Sequence, residues 1–451
     1  MTHRTTPTLS FTSVPRRDLV AEFSAGHIAS DAGLLLLREA DKQIGLSDAL
    51  DAAISDPRDP DRIVHPQKTL LAQRVFALAA GYEDLNDHDR LRLDPLWRAA
   101  ADHPIPDAEL ASSPTLCRLE NRVTRADLWR LAKVLVDRFL DSFDTPPAEL
   151  TLDVDATDSP IHGHQEKTFF HGYYDHHCFL PLYITCGSQL LVAYLRPANI
   201  AADRHARGIL KLLVTALRHR WPSVKILIRG DSGFGRWRAM RWFDKCDIRY
   251  VFGLARNKVL ERESAEWLDQ VRTAHLLDGR SHRIFGELSY AAKTWDRPRR
   301  VIAKAEHLRG EGEGKSNPRY IVTNLAGDAR ALYEEVYCQR GESENRIKEQ
   351  QLHLFADRTS CHAFRANAFR LMLSAAAYVL VEHIRRTALT GTELAKAEAS
   401  TIRLRLFRVA AMVVTTVRRI VVRIAKGYAE QNLFASVARQ LQMRPAVVGT
   451  S

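Results

Sequence analysis

At Leu150 the periodicity of this chain changes. From Asp31 to about Asp144 the apolar residues recur at helical spacings; from Leu150 they alternate, with Leu150, Leu152 and Val154 set against Thr151, Asp153 and Asp155. A period of two puts each set on its own face of a strand, so one face is buried and the other carries two carboxylates. A long helical stretch followed by strands mixed with helices confines the chain to an α/β architecture with a helical region ahead of the sheet. Within that region Asp31 is placed to cap a helix beginning near Leu34. Pro66 opens a second through Leu70, Leu71, Val75, Phe76 and Leu78, and Pro114 and Thr124 open two more. Pro146-Pro147 closes it, and residues 1–20, with Arg16-Arg17, read as a polar arm.

After the first strand, residues 178–184 and 189–195 flank Gly187-Ser188 as a hairpin. A helix follows over roughly 204–220, and then a strand, 224–228, that ends at Arg229-Gly230-Asp231. Strand, hairpin, helix, strand is the opening order of an RNase H-like fold. That fold joins the ends of its first and fourth strands, so Asp155 and Asp231 are expected to converge. Strand-like pieces at 283–290 and 300–305 and the Gly/Glu loop 309–315 read as a β-rich insertion with a mobile loop. Residues 320–324 return to strand, helices run through Glu344 and over 363–386, and the alternation at 402–406 predicts a C-terminal β-hairpin. The expected division is a helical region 1–145, a core in two parts (146–255 and 319–400), the insertion 256–318, and a basic hairpin and tail 401–451.

The chemistry concentrates in Tyr337-Cys338-Gln339-Arg340-Gly341-Glu342-Ser343-Glu344, just ahead of a helical run. With Asp155 and Asp231 at strand ends, Glu344 completes a set of three carboxylates. Such a set can hold two divalent cations about 4 Å apart, one activating the attacking oxygen and one stabilising the leaving oxygen in phosphoryl transfer. All-oxygen ligands suit Mg2+, with Mn2+ able to substitute. Each residue alone has a plainer reading: Asp153 shares the strand face and competes with Asp155, Asp231 could cap a helix, and Glu344 could belong to a solvated acidic face with Glu342. The long gap between 231 and 344 is what an inserted subdomain would produce. Around Glu344, Arg340 offers a bidentate fork for phosphate, Lys348 a point charge and Tyr337 a hydroxyl with a stacking face. In the tail, Arg403 and Arg405 begin a run of basic residues that either tracks phosphate or solvates a strand face.

Composition narrows the partners. The formal net charge is +11, from 65 Lys+Arg against 54 Asp+Glu, with pI near 9.4, which favours a polyanion such as DNA. Six scattered cysteines with no C-x-x-C pair argue against a disulfide framework or a zinc site, and His162, His164, His171, His176 and His177 match no zinc spacing. No signal peptide is legible at the N-terminus. The longest apolar run, 371–381, is about half of the roughly 20 residues a membrane span requires. A cytoplasmic, nucleoid-associated protein is expected, with no membrane partner. Trp267 and Trp295, although placed where a base could stack, are read as core residues.

On these residues the chain resembles the DDE transposases of bacterial insertion sequences, in particular the group with a Tyr-x2-Arg-x3-Glu-x6-Lys signature. Val154-Asp155-Ala156-Thr157, Ile228-Arg229-Gly230-Asp231-Ser232-Gly233-Phe234, and Tyr337, Arg340 and Glu344 carry the resemblance. The signature's final Lys falls on Gln351, and Lys348, one turn earlier, stands as a substitute. The resemblance implies an RNase H-like core interrupted by a β-rich insertion and an all-helical N-terminal region that contacts element ends. It also implies a homodimer acting on paired terminal inverted repeats and target DNA, through cleavage and 3′-hydroxyl strand transfer. Two rival readings are a catalytically idle DNA-binding regulator and a stand-alone metal-dependent nuclease.

Overall fold

The computed structural model describes residues 8–103, 108–161, 163–310 and 314–443. The chain is mixed α/β and forms two compact units. One holds residues 1–51, 56–119 and 383–451, and the other holds 52–55 and 120–382. The carboxylates all belong to the second.

That second unit is built on a nine-stranded sheet. The alternating segment is the strand Glu149–Ala156, with Leu150, Leu152 and Val154 buried in the main core. It runs parallel to Lys225–Gly230, which runs parallel to Arg249–Leu254, and antiparallel to Leu182–Cys186. Leu182–Cys186 and Gln189–Tyr194 form the hairpin, turning at Gly187 with φ +57°, a conformation glycine adopts without steric cost. The helix Ala206–Arg220 crosses over between the hairpin and the next strand. Its buried residues Ala206, Leu210, Leu213, Val214 and Leu217 recur at three and four, giving one stripe that packs on the sheet's apolar face.

The segment expected as a β-rich insertion within the catalytic fold begins with two helices, Lys258–Glu263 and Ala265–Asp278. Its strands His282–Tyr290 and Arg299–Leu308 then extend the same sheet. Arg319–Thr323 pairs antiparallel with both Arg249–Leu254 and Arg299–Leu308 and so makes the join. The reason is visible in Val301, Ile302 and Ala303, which are all fully buried. A strand covered on both faces reads as a continuous apolar run, not an alternation. Trp267 packs into the core, and Gly286 lies against its ring so closely that a Cβ would come within 2.3 Å. Trp295 also packs against this core. Of the Gly/Glu loop, residues 311–313 lie outside the described residues.

The first unit departs from an all-helical expectation. Residues expected as a polar arm form an antiparallel hairpin, Thr8–Val14 with Arg17–Glu22. Ile28–Ala29 joins Ala411–Thr415 and Ile420–Ile424 in a three-stranded sheet. Of the helix Gln67–Ala80, every residue but Lys68 is buried. Asp31 does not cap a helix with its side chain. Its carboxylate accepts from the Tyr82 hydroxyl at 2.8 Å and the Trp97 indole at 3.2 Å. Residues 402–406 are helical despite their alternation, because Ile402, Leu406 and Phe407 bury together at four- and five-residue spacing. The basic hairpin follows at 411–424, and the helix Gln431–Met443 comes after it. The helix Phe364–Ala388 has the length and apolarity of a membrane span, but 78% of its most apolar window is buried inside the protein, as in a core helix.

Candidate active site

Register sets the first two carboxylates side by side. Gly230 pairs with Val154 across the parallel strands, so Asp231, the next residue, follows beside Asp155. Asp231 opens a tight turn in which its carboxylate accepts the Gly233 N–H at 2.8 Å and its carbonyl accepts that of Phe234 at 3.2 Å. On the neighbouring strand, a Cβ at Gly253 would lie 2.7 Å from the Tyr337 hydroxyl and 2.9 Å from the Ser232 nitrogen. Glycine is thus required there for Tyr337 to approach the Asp231 turn.

The third carboxylate arrives on a helical stretch of changing pitch. A wide π-turn, Leu332–Tyr337, passes through the tight turn Cys338–Arg340 into the helix Gly341–Leu354. Arg340 and Glu344 lie one turn apart, and the guanidinium bridges two carboxylates, 3.0 Å from Asp155 Oδ2 and 2.7 Å from Glu344 Oε1. Burial pushes the Asp155 carboxyl up to about 6. Arg340 opposes that rise, and the negative charges of Asp231 and Glu344 add to it. Burial also raises the Tyr337 phenol, with Arg340 opposing and Asp231 adding. Asp155, Asp231, Glu344, Tyr337 and Arg340 therefore form one electrostatic neighbourhood.

Asp153, the competing aspartate, has a different environment. It is only 2% exposed and receives a bidentate fork from Arg229, at 2.6 and 2.7 Å. The third donor of that guanidinium reaches the Val336 carbonyl at 2.8 Å. Arg229 thus ties the Asp155 strand to the π-turn that leads to Arg340 and Glu344. Sequence reasoning did not single it out. The available signal was an Asp-x-Asp strand beside an Arg-x-Asp strand, which in parallel register makes Arg229 the partner of Asp153.

Other expected contacts are placed elsewhere. Lys348 stands exposed on the helix, and Gln351 donates to the Asp158 carbonyl at 2.8 Å. Arg403 is turned inward, donating to the Ala79 carbonyl at 3.0 Å at the end of the buried helix Gln67–Ala80; burial lowers it to about 10. Arg405 is paired with Glu393 and Glu430. Both therefore have partners inside the protein, which leaves Arg418, Arg419, Arg423 and Lys426 exposed along the basic hairpin. His176 pairs with Asp158 at 2.9 Å, and His162 lies outside the described residues.

Among the described residues no three His, Cys, Asp or Glu are already grouped to hold a metal, and Arg340 occupies the space between Asp155 and Glu344. The donor set nevertheless fits a hard divalent cation. It is all oxygen, and Asp231 and Glu344 each add to the rise that burial imposes on Asp155, a repulsion that a bound cation would relieve. One consequence is measurable without any metal. A carboxylate raised from 3.8 to about 6 holds its proton more tightly folded than unfolded, so its stabilising contribution is complete below pH 4 and lost as pH rises through 6. Asp155→Asn should therefore stabilise the metal-free protein by about 3 kcal/mol at pH 7, with the gain vanishing toward pH 4. Denaturant unfolding across that range checks it; an Asn variant less stable than the parent at pH 7 would refute it.

Comparison with known families and structures returned the following. The family model for "Transposase DDE domain group 1" matches residues 11–446. Among solved structures, the chain is similar to a piggyBac transposase synaptic complex with hairpin DNA, at 12% sequence identity and a TM-score of 0.42, covering 93% of this chain and 83% of that one. A search of curated proteins returned no match.

Proposed function

Because the chain belongs to the Transposase DDE domain group 1 family over nearly its whole length, we propose that it is a catalytically competent transposase. It cleaves DNA at the ends of an insertion sequence and joins the freed 3′-hydroxyl to target DNA. The observation that carries this reading is the meeting of Asp155 and Asp231 at the ends of adjacent parallel strands, with Glu344 drawn to them through Arg340. The fold reading that goes with it is an RNase H-like core. Its support is the strand order: Gln189–Tyr194, Leu182–Cys186, Glu149–Ala156, Lys225–Gly230 and Arg249–Leu254 lie consecutively, the last three parallel.

Asp155, Asp231 and Glu344 would hold Mg2+ or Mn2+, which when bound supplies Lewis-acid activation of the attacking oxygen and neutralises charge at the phosphate. The protein's own groups do the rest. Arg340 has a planar fork suited to a nonbridging phosphate oxygen, and Tyr337 presents its hydroxyl at the Asp231 turn. Lys348, one helical turn beyond Glu344, adds an exposed positive charge along the DNA path. The basic hairpin at 411–424 follows phosphates, two copies of the chain act on paired terminal repeats, and the work is done on nucleoid DNA in the bacterial cytoplasm. An idle regulator would lack a competent carboxylate set, and a plain nuclease would not rejoin.

The test is an assay of element-end DNA with the full chain. Mg2+-dependent nicking followed by joining to target DNA, both abolished by EDTA, is the expected result. End binding without nicking would establish the regulator, nicking without joining the nuclease, and undiminished cleavage in EDTA would rule out the metal reading.

A further inference from the structure

A cavity of about 440 Å³ opens at the carboxyl ends of the strands Glu149–Ala156 and Arg249–Leu254, lined by Val154 and Phe252. Side chains alternate along a strand, so Val154 and Asp155 face opposite ways and the cavity lies on the sheet face away from the carboxylates. The turn that begins at Asp231 is common to both, because its Phe234 and Arg236 line the cavity. Carboxyl ends of parallel strands are where open α/β sheets bind ligands.

Two helices, Ala206–Arg220 and Trp237–Lys245, begin at the rim. Neither has a side-chain N-cap or an acidic residue in its first turn, which leaves two positive helix ends without their usual compensation. Four arginines stand there instead, Arg204, Arg207, Arg236 and Arg238, all exposed, and burial with the charges of Arg196 and Arg204 holds the neighbouring His205 imidazole below its usual range. Asp203 pairs with Arg236 at 3.3 Å, whereas Arg204, Arg207 and Arg238 have no carboxylate partner among the described residues. Like charge gathered at two positive helix ends is unfavourable unless an anion is held there. The floor is apolar, formed by Leu210, Phe234, Phe243 and Phe252.

The rim is also pre-organised. Arg196 is fully buried and donates to the carbonyls of Ala202 and Arg204, both at 2.7 Å, and of Leu180 at 2.8 Å. His205, which opens the first helix, is held at φ +68°, a left-handed conformation that costs energy for a residue other than glycine. A cavity of this size suits a small ligand with apolar walls and a few convergent polar groups. Here those groups are cationic and the apolar part is aromatic, which describes a nucleotide.

We propose that this cavity takes one nucleotide of the DNA strand that passes the cleavage site, its phosphate between the two helix N-termini and its base or sugar against Phe234 and Trp237. The assignment rests on the reading of the chain as a DNA transposase. The link to a strand, rather than to a free nucleotide, is the shared turn: seating a nucleotide against Phe234 and Arg236 fixes the peptide that presents Asp231.

Gly208 provides the cleanest probe, because no heavy atom lies within 4 Å of a Cβ built there. Gly208→Glu places a carboxylate in the first helical turn, where propensity and dipole both favour it, so the fold is retained while phosphate is repelled. Anisotropy of a short single-stranded oligonucleotide on the full chain in EDTA is the readout, with inorganic phosphate and a nucleoside triphosphate as competitors. Gly208→Glu and Arg207→Glu should each weaken oligonucleotide affinity roughly ten-fold and reduce the salt slope by about one. Unaltered affinity and slope in both cavity variants would overturn the site. Triphosphate binding that is lost in Gly208→Glu, with oligonucleotide binding intact, would overturn the strand assignment in favour of a free nucleotide. A parent chain that never nicks DNA yet shows the cavity-dependent binding would remove the transposase reading and leave the nucleotide site standing.

Discussion

Asp155→Ala, Asp231→Ala and Glu344→Ala should each lose DNA cleavage to the detection limit while retaining most of their affinity for element-end DNA. The expectation follows from where the charges lie. The three carboxylates are repulsive toward phosphate, so removing one does not weaken an attraction to DNA. On the proposed reading, affinity comes from cationic surface elsewhere, such as the exposed Arg418, Arg419 and Arg423. Cleavage on that reading needs the full acidic set to hold metal charge at the reacting phosphate, and groups that act as a unit fail together when one is removed. The three losses should therefore be equally severe and non-additive in double variants. Electrophoretic mobility shifts paired with nicking assays on one preparation separate binding from chemistry. Cleavage that survives in Asp155→Ala and disappears in Asp153→Ala would transfer the first role to the buried aspartate. Survival in Glu344→Ala alone would direct attention to Glu342.

The parts of this site legible in the sequence are those that depend on local periodicity. Alternation over 150–155 identified the strand and its carboxylate face, and the strand-hairpin-helix-strand order brought Asp231 to Asp155. Arg340, expected ahead of the helix with its fork free for phosphate, lies instead one turn before Glu344 and shares a salt bridge with it. What local pattern could not supply was long-range pairing. That Arg340 also reaches Asp155, and that Arg229 reaches both Asp153 and Val336, depends on a π-turn over 332–337 that has no helical or strand signature of its own. The alternation at 402–406 misled for a related reason: Ile402, Leu406 and Phe407 satisfy a helical stripe as well as a strand, and tertiary burial decided between them. Arg403 and Arg405 looked like free charge in sequence, yet one donates to the carbonyls ending a buried helix and the other is held by two glutamates. Counting charges cannot reveal which are already neutralised.

The buried pair Arg229–Asp153 should be the most stability-sensitive point near the site. Both side chains are largely sequestered, 11% and 2% exposed, and burial raises the Asp153 carboxyl while Arg229 lowers it. Arg229→Ala leaves a buried carboxylate without its cation and orphans the Val336 carbonyl. Breaking a buried pair on one side costs about 3 to 5 kcal/mol, against marginal total stability, so this variant should unfold at much lower denaturant. Removing both charges is different, because apolar replacement of a whole buried pair is often neutral. Arg229→Met combined with Asp153→Leu should recover most of the lost stability. It should not recover activity, since the tether between the Asp155 strand and the turn preceding Arg340 and Glu344 is still missing. The expected signature is a folded double variant that binds element ends normally and cleaves with a strongly reduced kcat at little changed KM. Arg229→Lys, which retains a charge but has no fork to span Asp153 and Val336 together, should fall between. A double variant with parental stability and parental kcat would show that Arg229 holds the sheet together and has no part in placing the third carboxylate.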